Sequence, residues 1–140
     1  MGQDFPNLRN ALITELPGLL NGQTVDVAGT ATLLAGITAG DSTGDDLDAV
    51  AVAGFVRIEI LDDVDNGITR LATVDIDVFT TTTSRTAAIA ERIRGILRDE
   101  TKIGAVVIDR RRTRSGPKRV PWDNSRIRRS NATYTISTRR

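Results

Sequence analysis

The sequence predicts an α+β fold, with a two-layer, mainly antiparallel sheet of four strands and two helices on one face of the sheet. Two segments carry apolar residues at helical spacing, and four have the alternating or continuous apolar pattern of strands, in the order α-β-β-α-β-β. The length of 140 residues suits a single domain, residues 1–140, with a core built mainly from Val, Ile, Leu and Ala. A long glycine-rich segment, residues 21–49, is predicted to be a loop that is either flexible or ordered by a partner.

The first helix is predicted over residues 4–16, where leucine and alanine recur every three or four positions. Asp4 can cap its amino end, Pro6 suits its first turn, and Pro17 is expected to end it. The glycine-rich loop that follows holds five of the chain's 12 glycines and an acidic stretch. It leaves room for a short strand at residues 24–27.

A hairpin is predicted next, because residues 56–60 and residues 73–78 alternate apolar with polar side chains. One face of such a pair is buried and the other is in water. A two-residue turn at the Asn-Gly pair would put core residues opposite surface residues. We therefore expect a three-residue loop, residues 65–67, with its glycine in the left-handed conformation. This register places Arg57 opposite Asp75.

The second helix is predicted to begin after a threonine run, with Ser84 as its cap. Residues 103–109 form a continuous run rich in Val and Ile, which favours a central strand. Residues 110–125 are predicted to be a basic loop, and residues 132–137 alternate as a last strand. The second helix has one apolar stripe, formed by Ile89, Ile93, Ile96 and Leu97.

Charge is distributed very unevenly along the chain. Twelve of the 19 Lys and Arg residues lie after residue 100, but only two of the 18 Asp and Glu residues do, which leaves seven and sixteen before it. The first hundred residues therefore carry about −9 and the rest about +10, although the whole chain has a net charge of +1. Opposite charges on two parts of one molecule favour contact with other copies or with different partners.

Composition excludes most catalytic machinery, since the chain contains no Cys and no His. Disulfides, thiolate metal sites, cysteine nucleophiles and Ser-His-Asp triads are therefore ruled out. No apolar run reaches the roughly 18 residues of a membrane span, and the amino terminus lacks the pattern of a signal peptide. We expect a cytosolic product with no membrane contact, no enzymatic activity and no cofactor.

Two acidic groupings have both a functional and a structural interpretation. Residues 62–67 resemble a calcium loop only weakly, because an apolar and a hydroxyl side chain would occupy two of the ligand positions. Asp75 and Asp77 could act as paired carboxylates. However, alternate acidic residues on a solvated strand with Arg57 opposite are typical of surface charge. We therefore expect no metal site and no catalytic carboxylate.

The basic residues after position 100 also have two interpretations. They could neutralise the phosphates of a nucleic acid, or they could pair with Asp and Glu of a neighbouring subunit. Few aromatic side chains accompany them, only Trp122 and Tyr134, so bases would have little to stack on. We favour a subunit or partner interface and keep a small nucleic-acid-binding protein as the alternative. The residues concerned are Arg110, Arg111, Arg112, Arg114, Lys118, Arg119, Arg126, Arg128 and Arg129.

Part of the chain resembles the tail terminator proteins of long-tailed, non-contractile bacteriophages. The resemblance rests on the strand pair 56–79, which ends in the sequence VDIDVF, and on the threonine-rich joint and helix 87–97 that follow it. The closing segment 128–136, with the sequence RRSNATYTI, completes it. The glycine-rich and basic segments are poorly covered by the resemblance.

The resemblance implies a ring, usually a hexamer, that caps the tail tube protein at a fixed length and joins the neck or head-completion protein on its head side. The protein would then belong to the virion, at the head-proximal end of the tail, after assembly in the cytoplasm of a bacterial host. DNA would pass through the channel without specific binding, and acidic lining residues would repel its phosphates. Candidate lining residues are Asp62, Asp63 and Asp65, at the tip of the predicted hairpin.

Overall fold

The computed structural model describes residues 7–139, with Arg110 described by its backbone position. Strands dominate, at 47% of these residues. None of the helices in this part of the chain combines the length and the apolar character needed to cross a lipid bilayer. In chain order the elements are α1 (Leu8–Leu20), β1 (Thr24–Val27), β2 (Thr30–Leu33), β3 (Thr38–Gly40), α2 (Leu47–Val50), β4 (Phe55–Asp65), β5 (Thr69–Thr80), α3 (Thr83–Asp99), β6 (Lys102–Ile103), β7 (Val106–Val120) and β8 (Arg128–Arg139).

Six strands form one curled, mixed sheet in the order β3-β4-β5-β8-β7-β6, and β1 and β2 form a separate hairpin. β3 is parallel to β4, and the other neighbours are antiparallel. The predicted two-layer fold, with a four-stranded sheet and two helices, is therefore wrong. It missed short strands at both edges of the sheet and the short helix α2. The four long strands in the centre develop the strong coiling that strand twist produces.

The main core lies between the sheet and the helices α1 and α3. The predicted apolar stripe of α3 is confirmed, since its four residues are each at most 5% exposed. Alternate residues of the central strands meet this stripe, as the period of two in a strand requires. We term this side of the sheet the helix face. Its core residues include Val56, Ile58, Val74, Ile76, Val78, Ala132, Tyr134 and Ile136.

A smaller core covers one end of the opposite face of the sheet. Helix α2 and the segment after β7 close over it, so that Phe55 and Phe79 are buried together with Leu47 and Ile127. Trp122 packs edge-on against Phe79, with the two ring centres 4.8 Å apart. Beyond this cover the face is polar and partly exposed, and we term it the open face.

Helix α1 begins and ends later than predicted. Asn7 caps it, and its side-chain oxygen accepts from an amide of the first turn at 3.0 Å. The predicted roles of Asp4 and Pro6 lie outside the described residues. Pro17 lies inside the helix instead of ending it, and the helix continues to Leu20, which is completely buried. Burial of this last leucine outweighs the hydrogen bond that proline cannot donate.

The glycine-rich segment, residues 21–49, is not the predicted loop. The strand expected at residues 24–27 is present as β1 and pairs with β2, while β3 joins the main sheet. The side chain of Asn21 links the start of the segment to its middle through two hydrogen bonds. It accepts from the amide of Ile37 at 2.9 Å and donates to the carbonyl of Ile37 at 3.0 Å. These bonds order the segment within the chain itself.

The register of the β4–β5 hairpin also differs from the prediction. Arg57 lies opposite Asp77 instead of Asp75, and Glu59 lies opposite Asp75. Both registers place core residues opposite core residues, because they differ by an even number of positions. This register places the carboxylates of Glu59 and Asp75 opposite each other. Asn131 of β8 compensates for this, because its side-chain amide donates to Asp75 at 2.8 Å.

The turn of this hairpin explains its register. The amide of Asn66 donates to the carbonyl of Thr69 at 3.1 Å, which leaves two residues in the turn instead of the predicted three. The side-chain oxygen of Asn66 supports this turn by accepting from the amides of Ile68 and Thr69 at 3.0 and 2.8 Å. Gly67 has a left-handed φ of +89°, as predicted. A bulge between Ile60 and Asp62 then shifts the pairing near the tip by one residue.

Residues 103–109 are not a central strand. The chain turns at Gly104, with a φ of +57°, so β6 pairs with the first residues of β7 at the edge of the sheet. The basic loop predicted for residues 110–125 is a strand as far as Val120, paired with β8 and interrupted by three irregularities. The prediction failed because arginine and threonine give this strand no apolar alternation.

Candidate functional site: two charged edges of one sheet

The outer edge of β4 is free and acidic over much of its length. β3 pairs with residues 55–57 of β4, so residues 58–65 have no strand beyond them within the described chain. This stretch contains four acidic residues and no basic residue. We term residues 58–65 the acidic edge. Its charged members are Glu59, Asp62, Asp63 and Asp65.

The opposite edge of the same sheet is free and basic. Hydrogen bonds from β6 and its preceding residue cover β7 as far as residue 108, and from there the outer edge of β7 has no neighbouring strand within residues 7–139. We term residues 109–120 the basic edge. Its one acidic residue, Asp109, accepts from Arg139 at 2.7 Å. Its cationic residues are Arg110, Arg111, Arg112, Arg114, Lys118 and Arg119.

The cationic side chains of the basic edge differ in whether they have a hydrogen-bond partner within the chain. The Arg111 guanidinium donates to the backbone carbonyl of Glu100. The other described side chains of this group are exposed. Within residues 7–139, these side chains make no hydrogen bond and no ion pair. They are available to an outside partner, and they are Arg112, Arg114, Lys118 and Arg119.

The two charged edges are joined by rows of paired residues that run across all four central strands. Asp62 and Arg112 end one row of paired residues, which runs through threonines of β5 and β8 on the open face. Asp63 and Arg111 end the neighbouring row, which belongs to the helix face. Each row therefore has a carboxylate at one side of the molecule and a guanidinium at the other.

The predicted channel-lining residues do not share one surface. The bulge after Ile60 places Asp62 on the open face, whereas Asp63 and Asp65 lie on the other side of the hairpin. There Asp63 forms an ion pair with Arg70. The hairpin therefore presents carboxylates on both of its sides.

A shallow groove of about 530 Å³ lies on the open face, between the hairpin tip and β7. Val64 and Leu71 form part of its apolar wall, and Arg112 belongs to its other side. Val64 and Leu71 are 59% and 50% exposed, and the nearby Leu61 and Ile68 are 56% and 75% exposed. Several exposed apolar side chains beside a free strand edge are typical of a surface that another molecule covers.

Asp77 is the centre of a buried charge cluster, not the surface charge that was predicted. It is 1% exposed, and its carboxylate accepts from Arg57 at 2.6 Å, Arg129 at 2.8 Å and Asn131 at 2.9 Å. Both guanidinium groups lie over the ring of Trp122, at 5.6 and 5.5 Å from its centre. The carboxylate is fully used by these partners, so its role is to hold the open face together.

Three of the predicted interface arginines bind within the chain. Arg129 belongs to the cluster around Asp77. Arg126 donates to Asp48 at 2.8 Å, and Arg128 donates to the carbonyl of Ser125. These three therefore offer less free charge to a partner than the basic edge does.

The aromatic residues near the basic edge are engaged in packing. Tyr134 is 3% exposed, and its burial raises the pKa of the Tyr134 hydroxyl to about 12. Trp122 is held between Phe79 and the two guanidinium groups of the buried cluster. Neither ring is free to stack on a nucleic-acid base.

Comparison with protein-family models finds no family that matches the chain, and comparison with curated proteins finds no match. Within residues 7–139, no group of three or more acidic residues is arranged to hold a metal ion. Function is therefore inferred from the charged edges and the open face.

Proposed function

We propose that this chain is a structural phage protein that assembles as a ring on the head-proximal end of the tail tube. One observation carries the proposal, namely that a single sheet has an acidic free edge on β4 and a basic free edge on β7. A closed ring needs two different, complementary surfaces on each subunit, because its contacts are head to tail. The resemblance to tail terminators favours six subunits.

In this role the ring stops tube growth without making or breaking a covalent bond. Once bound to the last layer of the tail tube protein, it covers the surface on which the next layer would add. Its other side gives the neck or head-completion protein a surface to join. DNA passes through the channel, and acidic groups of an open face that lines it, Glu59 and Asp75, repel the phosphates.

The alternative, a small nucleic-acid-binding protein, has less support. The basic edge could contact several phosphates, and such contacts would weaken steeply with salt. However, Trp122 and Tyr134 are held in packing, so the single-strand stacking that accompanies many such patches is lacking.

The test is the double substitution R112E/R114E in a phage that carries the gene. Both side chains are exposed, so the subunit should fold with stability within about 1 kcal/mol of the parent. We expect filled heads together with overlong or unjoined tails by electron microscopy. Normal virions would contradict the proposal.

The control is R9E/R92E, which changes the net charge equally at exposed positions of α1 and α3; Arg92 lies beside β1, in a groove with Thr24 and Asp26. We expect it to leave tails normal. The purified proteins are also tested for binding to duplex DNA. Loss of duplex binding by R112E/R114E, with rings and tails unaffected, would favour the nucleic-acid alternative.

A further inference from the structure

We propose that the acidic edge of one copy pairs strand to strand with the basic edge of a second copy, so that one antiparallel sheet continues from subunit to subunit. This inference rests on the proposed ring, and it adds how the subunits are joined. Unpaired N–H and C=O groups along a strand edge are a template for another strand. The occupant of each free edge is therefore a second copy of this chain.

The strand directions permit this continuation. β4, β5, β8 and β7 are neighbours in that order, and each is antiparallel to the next. With four strands of alternating direction, β7 runs opposite to β4. A second copy in the same orientation, placed beside the first, therefore brings its β4 antiparallel to the first copy's β7. Repetition of this step generates a ring if the rotation closes.

The charges match row by row. When a row of paired residues continues into the next copy, Arg112 of one copy meets Asp62 of the other on the open face. In the neighbouring row Arg111 and Asp63 also come to facing positions, on the helix face, but within the chain Arg111 already donates to the carbonyl of Glu100 and Asp63 pairs with Arg70. Opposite charges on directly facing positions of antiparallel strands are favourable. The register is therefore set by the open-face pair of Arg112 and Asp62.

Both edges are regular where they would meet. The irregularities of β7 leave residues 110–113 evenly paired with β8, and β4 is evenly paired over residues 62–65 after its bulge. The acidic stretch also carries the exposed side chain of Val64, with Leu61 beside it. A second copy would cover both, which removes apolar surface from water.

Charge also excludes the competing contacts. A twofold dimer through β4 would bring two acidic edges together, and one through β7 would bring two basic edges together. Like charges on facing strands disfavour both pairings. Edge charges commonly keep sheets apart, but here the two edges of one sheet have opposite signs. The head-to-tail pairing is the one that they favour.

Hydrogen–deuterium exchange tests the backbone pairing directly. Amides along a free edge exchange quickly, and amides bonded to another strand are protected. In assembled protein, we expect peptides that cover residues 58–65 and 109–116 to exchange at least about tenfold more slowly than in monomer. Peptides from α3 (Thr83–Asp99) serve as the control and should not change, because their amides are already bonded.

Charge reversal supplies the monomer and a second test. E59K/D62K and R112E/R114E each reverse the charge of one edge, so that like charges meet at the facing positions 62 and 112 and lie near each other at 59 and 114. Each variant alone should therefore self-associate at least about tenfold more weakly. An equal mixture has two kinds of contact. In one, the parent acidic edge of R112E/R114E meets the parent basic edge of E59K/D62K; in the other, the two reversed edges meet, and their charges are again opposite. We therefore expect the mixture to form rings of alternating subunits. These four positions are exposed, so folding should be retained, which circular dichroism checks.

The outcomes separate the two proposals. Rings whose edge amides exchange as fast as in monomer, or a mixture that fails to assemble, would overturn the edge pairing and leave the ring standing. Parent protein that forms no assembly larger than a dimer under any condition would overturn the ring as well. Protected edges together with a restored mixture would support both.

Discussion

Asp77 is buried among cations because β5 lies between β4 and β8, each of which brings an arginine to it. A buried carboxylate is costly unless charge and hydrogen bonds satisfy it. Here Arg57 comes from one neighbouring strand, and Arg129 and Asn131 come from the other. The cluster joins the three strands on the open face, next to the rings of the smaller core.

The substitution D77N should destabilise the protein by about 3 kcal/mol, because it leaves two partly buried guanidinium groups without their counter-charge. D75N is the matched control on the same strand face. Its carboxylate accepts from the neutral groups of Asn131 and Thr133, so we expect a cost of about 1 kcal/mol or less. Urea denaturation measures both. Equal effects of the two substitutions would contradict the central role of Asp77.

Tyr134 makes stability sensitive to alkaline pH. Its pKa is raised to about 12 by burial, whereas an unfolded tyrosine titrates near pH 10. Above pH 10 the unfolded chain loses this proton and the folded chain keeps it, so folding stability falls as pH rises from about 10 to about 12. Below pH 10 the contribution is complete.

The chain has one tyrosine, so tyrosinate absorbance reports this group alone. We expect the absorbance to rise only as the protein unfolds or as pH approaches 12, and the Y134F variant to lose less stability across this range. A titration midpoint near pH 10 in protein that is still folded would show that the hydroxyl is open to solvent.

At the scale of elements, segments with a clear apolar period were predictable and charged segments were not. The stripe of α3, the strand β1 and the alternation within β8 were all visible in the sequence, because burial of one face imposes a period. The predicted strand at residues 103–109 includes the start of β7, but the continuation of β7 to Val120 was missed because its arginines give no apolar period. The pairing register was missed because apolar alternation distinguishes only odd from even shifts.

The candidate site was predictable in part for the same reason. Uneven charge alone identified the arginines of residues 110–119 as interface candidates. That they lie along one free strand edge, with the acidic edge at the other side of the sheet, depends on strand order, which involves pairings between residues far apart in sequence. The internal bonds of Arg126, Arg128 and Arg129 likewise depend on tertiary contacts.

Gly116 lies at one irregularity of β7, where the pairing with β8 shifts between Ser115 and Lys118. It has a φ of +76°, and a Cβ there would collide with the carbonyl oxygen of Asn131 and lie 3.1 Å from the Cα of Ala132. G116A should therefore cost at least about 2 kcal/mol. G18A in α1 is the control, since that Cβ meets nothing within 4 Å and the substitution favours helix, by up to about 1 kcal/mol. Thermal unfolding compares them, and a tolerated G116A would show that this part of β7 can rearrange.

At the scale of the whole molecule, the separation of charge along the sequence becomes a separation across the sheet. β4 belongs to the acidic part of the chain and β7 to the basic part, and strand order places them on opposite sides of β5 and β8. Under the proposed edge pairing, this polarity gives the molecule one favoured way to associate with copies of itself. Exposed ion pairs are individually worth about 0 to 1 kcal/mol, so several in each contact must act together, and salt should weaken them.

The most direct test of this account is the mass of the purified protein in solution at low and at molar salt, combined with negative-stain imaging. At low salt we predict one closed oligomer of uniform diameter, a hexamer if the resemblance to tail terminators extends to stoichiometry. Molar salt should shift it toward monomer. A monomer at every concentration, or an assembly that stops at a dimer, would contradict head-to-tail association through the two charged edges.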